Sequence, residues 1–148
     1  MGAGTASTGV GLAQLVEAIG DAVIVTDAAG LIRFWNPAAE RIFGFAREEA
    51  MGRSMDLIIP ERLRRRHWDG YHQTMASGIT KYGSDLLRVP ALAKDGRQLS
   101  IAFTVALLAG PDGKPDAIAA VIRDETARFQ EERALRKRLA ELEAQQAR

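Results

Sequence analysis

Three short turn sequences, each flanked by apolar segments, constrain the fold of this chain more than any other feature. Each turn contains Gly together with Asp, residues that tight turns between neighbouring strands favour. The turns are Asp27-Ala28-Ala29-Gly30, Lys94-Asp95-Gly96 and Pro111-Asp112-Gly113-Lys114-Pro115. The flanking segments are residues 22–26, 31–35, 86–91, 99–108 and 117–123. Strands joined by such short turns pair antiparallel, so these five segments predict an antiparallel sheet.

The sequence between the second and third apolar segments is typical of helices. Asn36 and Pro37 have the residue types of a helix N-cap and of the first helical position. Two further helices are predicted over residues 46–51 and 60–77, and each ends before a glycine. Helices placed there cover one face of the sheet. The predicted fold class is therefore α+β, with a pocket between the sheet and the helices.

Both ends of the chain also carry helical patterns. Apolar residues at helical spacing near residue 12 predict a short amphipathic helix before the first strand. From residue 127 onward the chain lacks Gly and Pro, which predicts a long exposed helix. Three leucines with 4-3 spacing cover about one and a half heptads and favour pairing of two copies as a coiled coil. A helix that docks on its own sheet is the alternative. The three leucines are Leu135, Leu139 and Leu142.

Composition excludes several classes of function. A net charge of +1 over 148 residues gives no reason to expect nucleic-acid binding, which needs a basic stripe. The absence of Cys excludes disulfides, thiolate metal sites and cysteinyl–flavin photochemistry. No apolar run is long enough to span a membrane, and we expect a cytoplasmic protein. Without a nucleophile–base pair, a metal cluster or a phosphate loop, we expect no enzymatic activity.

Several short motifs, taken in order, resemble the PAS family of sensory domains. The motifs run from Asp21 to Asp27, from Phe34 to Gly44, from Glu48 to Gly52, from Ile58 to Pro60, from Lys94 to Gly96 and from Arg123 to Thr126. The resemblance implies a five-stranded antiparallel sheet with flanking helices, and a sensing role. Members of the family bind a small ligand or cofactor, or pair with other domains. The sequence departs from the family pattern at Glu125, where Ile or Val is usual.

With this resemblance, the chain divides into three parts. Residues 1–10 are predicted to form a disordered tail, residues 11–125 the sensory domain, and residues 126–148 a C-terminal signalling helix. We expect this helix to pair across a homodimer and to act on a downstream effector that the sequence does not name. The amphipathic N-terminal helix is expected to join the same interface, because its apolar stripe would otherwise be exposed.

His67 is the leading candidate for a cofactor ligand. Leu63, His67, Tyr71 and Met75 recur every four residues and therefore share one face of the helix predicted over residues 60–77. A neutral imidazole in an apolar pocket is a good axial donor to haem iron. The position also resembles that of the proximal histidine in oxygen-sensing haem PAS domains, which implies haem b. The alternative is a histidine with no cofactor role.

Residues on the strands would line the other side of the pocket. The strand-alternation pattern gives a set of lining residues that would equally fill a plain core: Leu57, Ile101, Phe103, Ile118 and Ala120. The resemblance places Leu87 where oxygen-sensing relatives carry an Arg, and Arg88 is one residue away, on the opposite face. We therefore expect CO, NO or redox sensing rather than stable oxygen binding. The basic residues that could pair with haem propionates are Arg64, Arg65, Arg66 and Lys81.

Three alternatives to haem stay open. Non-covalent FAD could stack on Trp35 or Trp68, although tryptophans near a core more often serve packing. A small organic ligand could occupy the pocket. The domain could also hold no cofactor and act as a dimerisation or protein-interaction adaptor.

Overall fold

The computed structural model describes residues 9–80 and 85–147. The predicted tail therefore lies outside the described residues, apart from residues 9 and 10, and so does Lys81. The helices are α1 (Leu12–Ala18), α2 (Pro37–Phe43), α3 (Arg47–Ala50), α4 (Glu61–Ser77) and α5 (Thr126–Gln146). The strands are β1 (Ala22–Asp27), β2 (Ile32–Trp35), β3 (Leu87–Leu92), β4 (Gln98–Ala109) and β5 (Pro115–Asp124).

The five strands form one antiparallel sheet in the order β2-β1-β5-β4-β3. The three predicted turns join β1 to β2, β3 to β4 and β4 to β5. The pairing of β1 with β5 joins the first strand to the last and places both in the middle of the sheet. The predicted α+β fold with a five-stranded antiparallel sheet and a long C-terminal helix is confirmed.

One face of the sheet, here called the inner face, packs against α2, α3 and the segment that follows α3. Its central rows are the β1–β5 pairs Ala22 with Ile122, Ile24 with Ala120 and Thr26 with Ile118, all buried. Trp35 closes one side of the core, with its ring centroid 5.7 Å from that of Phe43. The indole N–H of Trp35 donates to the carbonyl of Phe45 at 3.0 Å, which satisfies its polar atom inside the core.

Asn36 is more than a helix cap. Its Oδ1 accepts from the backbone N–H of Ala39, as the N-cap prediction requires, and also from that of Val23. Its amide N–H groups donate to the carbonyls of Val16 and Asp21. The Asn36 side chain is fully buried, so these four bonds tie α1, β1 and α2 together at one point.

The structure adds a 3-10 turn at Met55–Ile58 that the sequence pattern does not indicate. Ser54 caps this turn, since its hydroxyl oxygen accepts from the N–H of Asp56 at 3.1 Å. The turn lies between α3 and α4 and packs Ile58 into the core. No helix in the described part of the chain is long and apolar enough to cross a membrane.

The C-terminal helix α5 extends from the sheet. None of the described residues in α5 is buried. Its first turn is fixed to β4, because the N–H of Glu125 donates to the carbonyl of Ser100 at 2.8 Å and the N–H of Ser100 donates to Thr126 Oγ1 at 3.0 Å. The helix is therefore attached at its N-terminal end while its length stays exposed.

Candidate ligand-binding site

Helix α4 presents one covered face. Leu63, His67 and Met75 are half-buried and Tyr71 is buried, with 8% of its surface exposed. Arg62, Arg65, Arg66 and Asp69, on the other side of the helix, are exposed. This matches the four-residue spacing in the sequence, which places Leu63, His67, Tyr71 and Met75 on one face.

Tyr71 attaches α4 to the end of β1. Its hydroxyl donates to the carbonyl of Asp27 and lies 2.9 Å from Thr26 Oγ1, which is buried on the inner face. Because the tyrosine proton is directed at Asp27, the Thr26 hydroxyl is the donor in the second bond. Burial raises the pKa of the Tyr71 hydroxyl, and this keeps the hydroxyl in the protonated form that can donate.

Trp68 packs over the turn between β1 and β2. Its indole N–H donates to Asp56 Oδ1 at 2.7 Å, and its ring lies against Gly30. A Cβ at position 30 would lie 2.3 Å from two atoms of the Trp68 ring, and Gly30 has a φ of +81°. The position therefore requires glycine for two reasons, close packing and left-handed backbone.

His67 has a buried ring nitrogen with an unmet hydrogen-bonding capacity. Its Nδ1 is inaccessible to solvent and has no hydrogen-bond partner among the described residues. The His67 ring contacts the rings of Trp68 and Tyr71, at centroid distances of 4.6 and 5.9 Å. Burial lowers the pKa of His67, the charge of Asp56 acts in the opposite direction, and His72 adds to the lowering. His67 is therefore held as a neutral imidazole, the form that ligates a metal.

This environment fits an axial ligand for haem. The fit depends on the orphaned nitrogen of His67 and on the aromatic and apolar neighbours that keep the imidazole neutral. His72 is exposed and stacks on the outer side of Trp68, with the ring centroids 6.0 Å apart. Among residues 9–80 and 85–147, no group of three or more His, Asp or Glu side chains could hold a metal ion.

The inner face of β3 and β4 is only partly covered by the described part of the chain. Leu87, Phe103, Val105 and Leu107 are half-buried, and Val89 is 40% exposed. These side chains share the inner face, because Leu87 pairs with Phe103, Phe103 with Ile122 and Val105 with Ala120. They form an apolar surface that a flat ligand could cover.

The predicted lining residues on the strands divide into two groups. Ile118 pairs with Thr26 and so lies at the end of the sheet that Tyr71 contacts. Ile101 lies on the neighbouring strand β4, and Leu87 lies on β3, two strands from β5. Ile101 and Ile118 are 5% and 9% exposed, as expected for core residues, whereas Leu87 keeps a half-exposed side chain. The role of these residues in ligand binding stays a prediction.

Arg88 does not reach the inner face. The pairing of β3 with β4 runs in step from Leu87 with Phe103 to Leu92 with Gln98, so Leu87 points inward and Arg88 outward. The Arg88 Nε lies 3.6 Å from a carboxylate oxygen of Glu125 on the outer side. Sequence position 88 therefore supplies no polar donor to the inner face of the sheet.

Two of the side chains considered above as cofactor contacts, Arg64 and Trp35, make other contacts in the structure. Arg64 donates to the carbonyls of Ile59 and Asp56, at 3.0 and 3.3 Å, and so closes the 3-10 turn. Trp35 is fully buried against Phe43, so the idea that it stacks on a flavin is wrong. Arg65 and Arg66 remain exposed on α4.

One open depression of about 390 Å³ lies away from His67. It is lined by Phe43, Gly44, Ala93, Lys94, Asp95 and Arg97, where the end of α2 meets the turn between β3 and β4. Lys94 pairs with Glu49 and Arg97 with Asp95, so the charges at its rim are already compensated.

Known proteins agree with this fold. The family model described as the PAS fold matches residues 12–124. The PAS domain of a Colwellia psychrerythraea protein superimposes with a TM-score of 0.68 at 23% identity, over 78% of this chain and 94% of that one. The fold and the family model together define a sensory module of the PAS class. The chain belongs to the PAS family.

Two curated relatives are sensors. The chain is 42% identical to the sensor protein FixL of Bradyrhizobium diazoefficiens over 60 residues, which are 40% of this chain and 12% of FixL. It is 27% identical to the oxygen sensor protein DosP of Escherichia coli over 122 residues, which are 82% of this chain and 15% of DosP. The chain thus spans about one-eighth of the length of these relatives.

Proposed function

We propose that this PAS sensory module binds haem b through His67 and passes a change in haem state to α5 in a homodimer. The observation that carries the proposal is the buried nitrogen of His67 on the covered face of α4, which has no hydrogen-bond partner in the described part of the chain. A bound haem would supply an iron that takes a diatomic gas or changes its oxidation state. The similarity to DosP, an oxygen sensor, supports the same class of signal.

The protein's own residues would position the cofactor. Leu63 and Tyr71 lie one helical turn on either side of His67 and would flank its imidazole. Leu87, Ile101 and Ile118 would supply apolar surface from the sheet and exclude water. Tyr71 and Trp68 fix the helix that carries the ligand through their bonds to β1 and Asp56.

Strand β3 indicates which signal a haem bound through His67 would sense. Leu87 points inward and Arg88 outward, so β3 offers an apolar side chain where bound oxygen would need a hydrogen-bond donor. We therefore favour CO, NO or a redox change as the signal rather than stable oxygen binding.

Output would pass through α5. Leu135, Leu139 and Leu142 are 69%, 56% and 40% exposed and lie on one stripe at 4-3 spacing. Pairing with a second copy would bury this stripe. The exposed Leu12 and Leu15 of α1 would extend the interface, and a downstream effector would receive the signal.

A second candidate function has an observation of its own. The exposed leucines of α5 need no cofactor to pair, and the open depression lies away from His67. A cofactor-free dimerisation or adaptor module, or a module for a small organic ligand, would therefore leave His67 as a packing residue.

The deciding experiment is a visible absorption spectrum. Purified protein would be recorded before and after addition of hemin, then with dithionite and CO, for wild type, His67→Ala and His72→Ala. His72 lies on the same helix but is exposed, so it is the matched control. A sharp Soret band that shifts on reduction, is retained in His72→Ala and is lost in His67→Ala supports the proposal.

A different result would retire the haem hypothesis. Hemin that gives only a broad band, indifferent to the His67→Ala substitution, would indicate non-specific association. The cofactor-free or organic-ligand module would then be the better account, and native mass spectrometry would separate those two.

A further inference from the structure

The junction between β5 and α5 contains a side-chain contact that the family pattern does not anticipate. Glu125, at the position where Ile or Val is usual, lies directly before α5, and its side chain is only 17% exposed. One of its carboxylate oxygens lies 3.6 Å from the Nε of Arg88 on β3. An acidic side chain that is largely covered at this junction has a basic partner on a different strand.

Arg88 is also the neighbour of an inward-facing residue. Leu87 lies on the inner face, paired with Phe103, while Arg88 lies on the outer face, paired with Ala102. Since successive side chains of a strand point to opposite faces, a shift or twist of β3 moves both together. The strand lies at the edge of the sheet, where it has a single neighbouring ladder.

Glu125 therefore connects α5 to two strands in different ways. Its backbone N–H donates to Ser100 on β4, and its carboxylate faces Arg88 on β3. The backbone bond fixes the start of the helix to the sheet. The side-chain contact makes the orientation of its first turn depend on where β3 lies relative to β4.

We propose that the Arg88–Glu125 ion pair couples β3 to the first turn of α5, so that a displacement on the inner face at Leu87 changes the stability of that turn. The proposal rests on the sensing role proposed above, and it adds Arg88 and Glu125 as positioning residues. The pair lies partly at the surface and is screened by salt, so it biases an equilibrium and does not hold the fold together.

Amide hydrogen exchange of the first turn of α5 tests the contact. The N–H of Phe129, which donates to the carbonyl of Glu125 at 2.8 Å, is the reporter. We expect Arg88→Gln and Glu125→Gln each to speed its exchange by about two- to fivefold, and the double variant Arg88→Gln/Glu125→Gln to speed it by less than the product of the two single effects. Arg97→Gln, which removes another surface ion pair at the far end of the same hairpin, is the matched control and should leave it unchanged.

A second arm tests transmission from the inner face and needs no cofactor. Leu87→Ala is expected to change the exchange of the Phe129 N–H when Arg88 is present and to change it much less in the Arg88→Gln background. Amides of β1 report any general loss of stability. Equal responses in both backgrounds, or single effects of Arg88→Gln and Glu125→Gln that simply multiply in the double variant, would overturn the proposal. Failure of hemin binding would not, so the two proposals are distinguished.

Discussion

A single oxygen atom, the hydroxyl of Tyr71, makes both hydrogen bonds that attach α4 to β1. The hydroxyl bonds both the Asp27 carbonyl and the Thr26 hydroxyl. Tyr71→Phe would leave both groups without this partner, and we expect the free energy of unfolding to fall by about 1–3 kcal/mol. Urea denaturation measures this. The double variant Thr26→Val/Tyr71→Phe should lose less than the sum of the two single changes, and strict additivity would show that the bond between Thr26 and Tyr71 contributes nothing.

Gly30 is tested against another glycine with the same backbone conformation. Gly30 and Gly52 have φ values of +81° and +79°, but only at position 30 would a Cβ meet the Trp68 ring. Both Ala variants carry the backbone strain, and Gly30→Ala adds the clash. We expect Gly30→Ala to be less stable than Gly52→Ala by about 1–3 kcal/mol in thermal or urea unfolding. Equal losses would mean that Trp68 moves aside freely.

The burial of His67 predicts a pH dependence of stability. Burial lowers the pKa of His67 in the folded state below 6.5, so between the two pKa values the unfolded chain binds more protons. The free energy of unfolding therefore falls as pH drops through 6.5 and levels off below the folded-state pKa. His67→Gln should lose this part of the pH slope in urea titrations. His72→Gln leaves His67 buried and should retain it; a slope unaffected by His67→Gln contradicts the prediction.

At the scale of single residues, the sequence predicts which side chains share a helix face better than it predicts their hydrogen-bond partners. The four-residue spacing places Leu63, His67 and Tyr71 on one face, which the structure reproduces. The partners of Tyr71 lie 44 and 45 residues away in sequence, and no local pattern encodes them. The orphaned nitrogen of His67 likewise results from what the rest of the chain packs around it.

At the scale of helices and strands, the residue preferences of tight turns and helix ends explain which boundaries the sequence predicts. Residues that favour tight turns and helix ends mark most strand and helix limits to within one or two positions. The 3-10 turn at Met55–Ile58 was missed, because a single turn has too few residues to show a period. The pairing of β1 with β5 joins segments that are far apart in sequence, so no turn between them predicts it.

The exposed stripe of α5 gives the prediction that belongs to this scale. Burying one leucine stabilises by about 1.5–3 kcal/mol, so Leu139→Lys should weaken self-association by at least about tenfold. Sedimentation equilibrium of the full chain measures the dissociation constant. Ala140→Lys adds the same charge on an exposed position outside the leucine stripe and serves as the control. Equal effects of the two variants would contradict leucine-mediated pairing.

Considered as a whole, the molecule combines a well-packed core with one helix, α4, that is less firmly attached. Trp35, Phe43 and the β1–β5 rows are buried, and Asn36 binds three elements together. By contrast, α4 is held near its middle by Tyr71 and Trp68, while the inner face of β3 and β4 is half-covered. Elements with few buried contacts open first, so α4 is the part of the fold that a ligand between helix and sheet would stabilise most.

This contrast predicts where hemin acts. A ligand present at 100 times its dissociation constant adds about 2.7 kcal/mol to the state that binds it. We expect hemin to slow amide exchange in α4 far more than in α2, which is already packed on the core, and His67→Ala to abolish the difference while His72→Ala preserves it. Hydrogen exchange followed by mass spectrometry resolves the two helices. Protection spread evenly over α4 and α2, or protection that persists in His67→Ala, would mean that hemin binds non-specifically at the surface. The exposed leucines of α5 would then favour a dimerisation module without a cofactor.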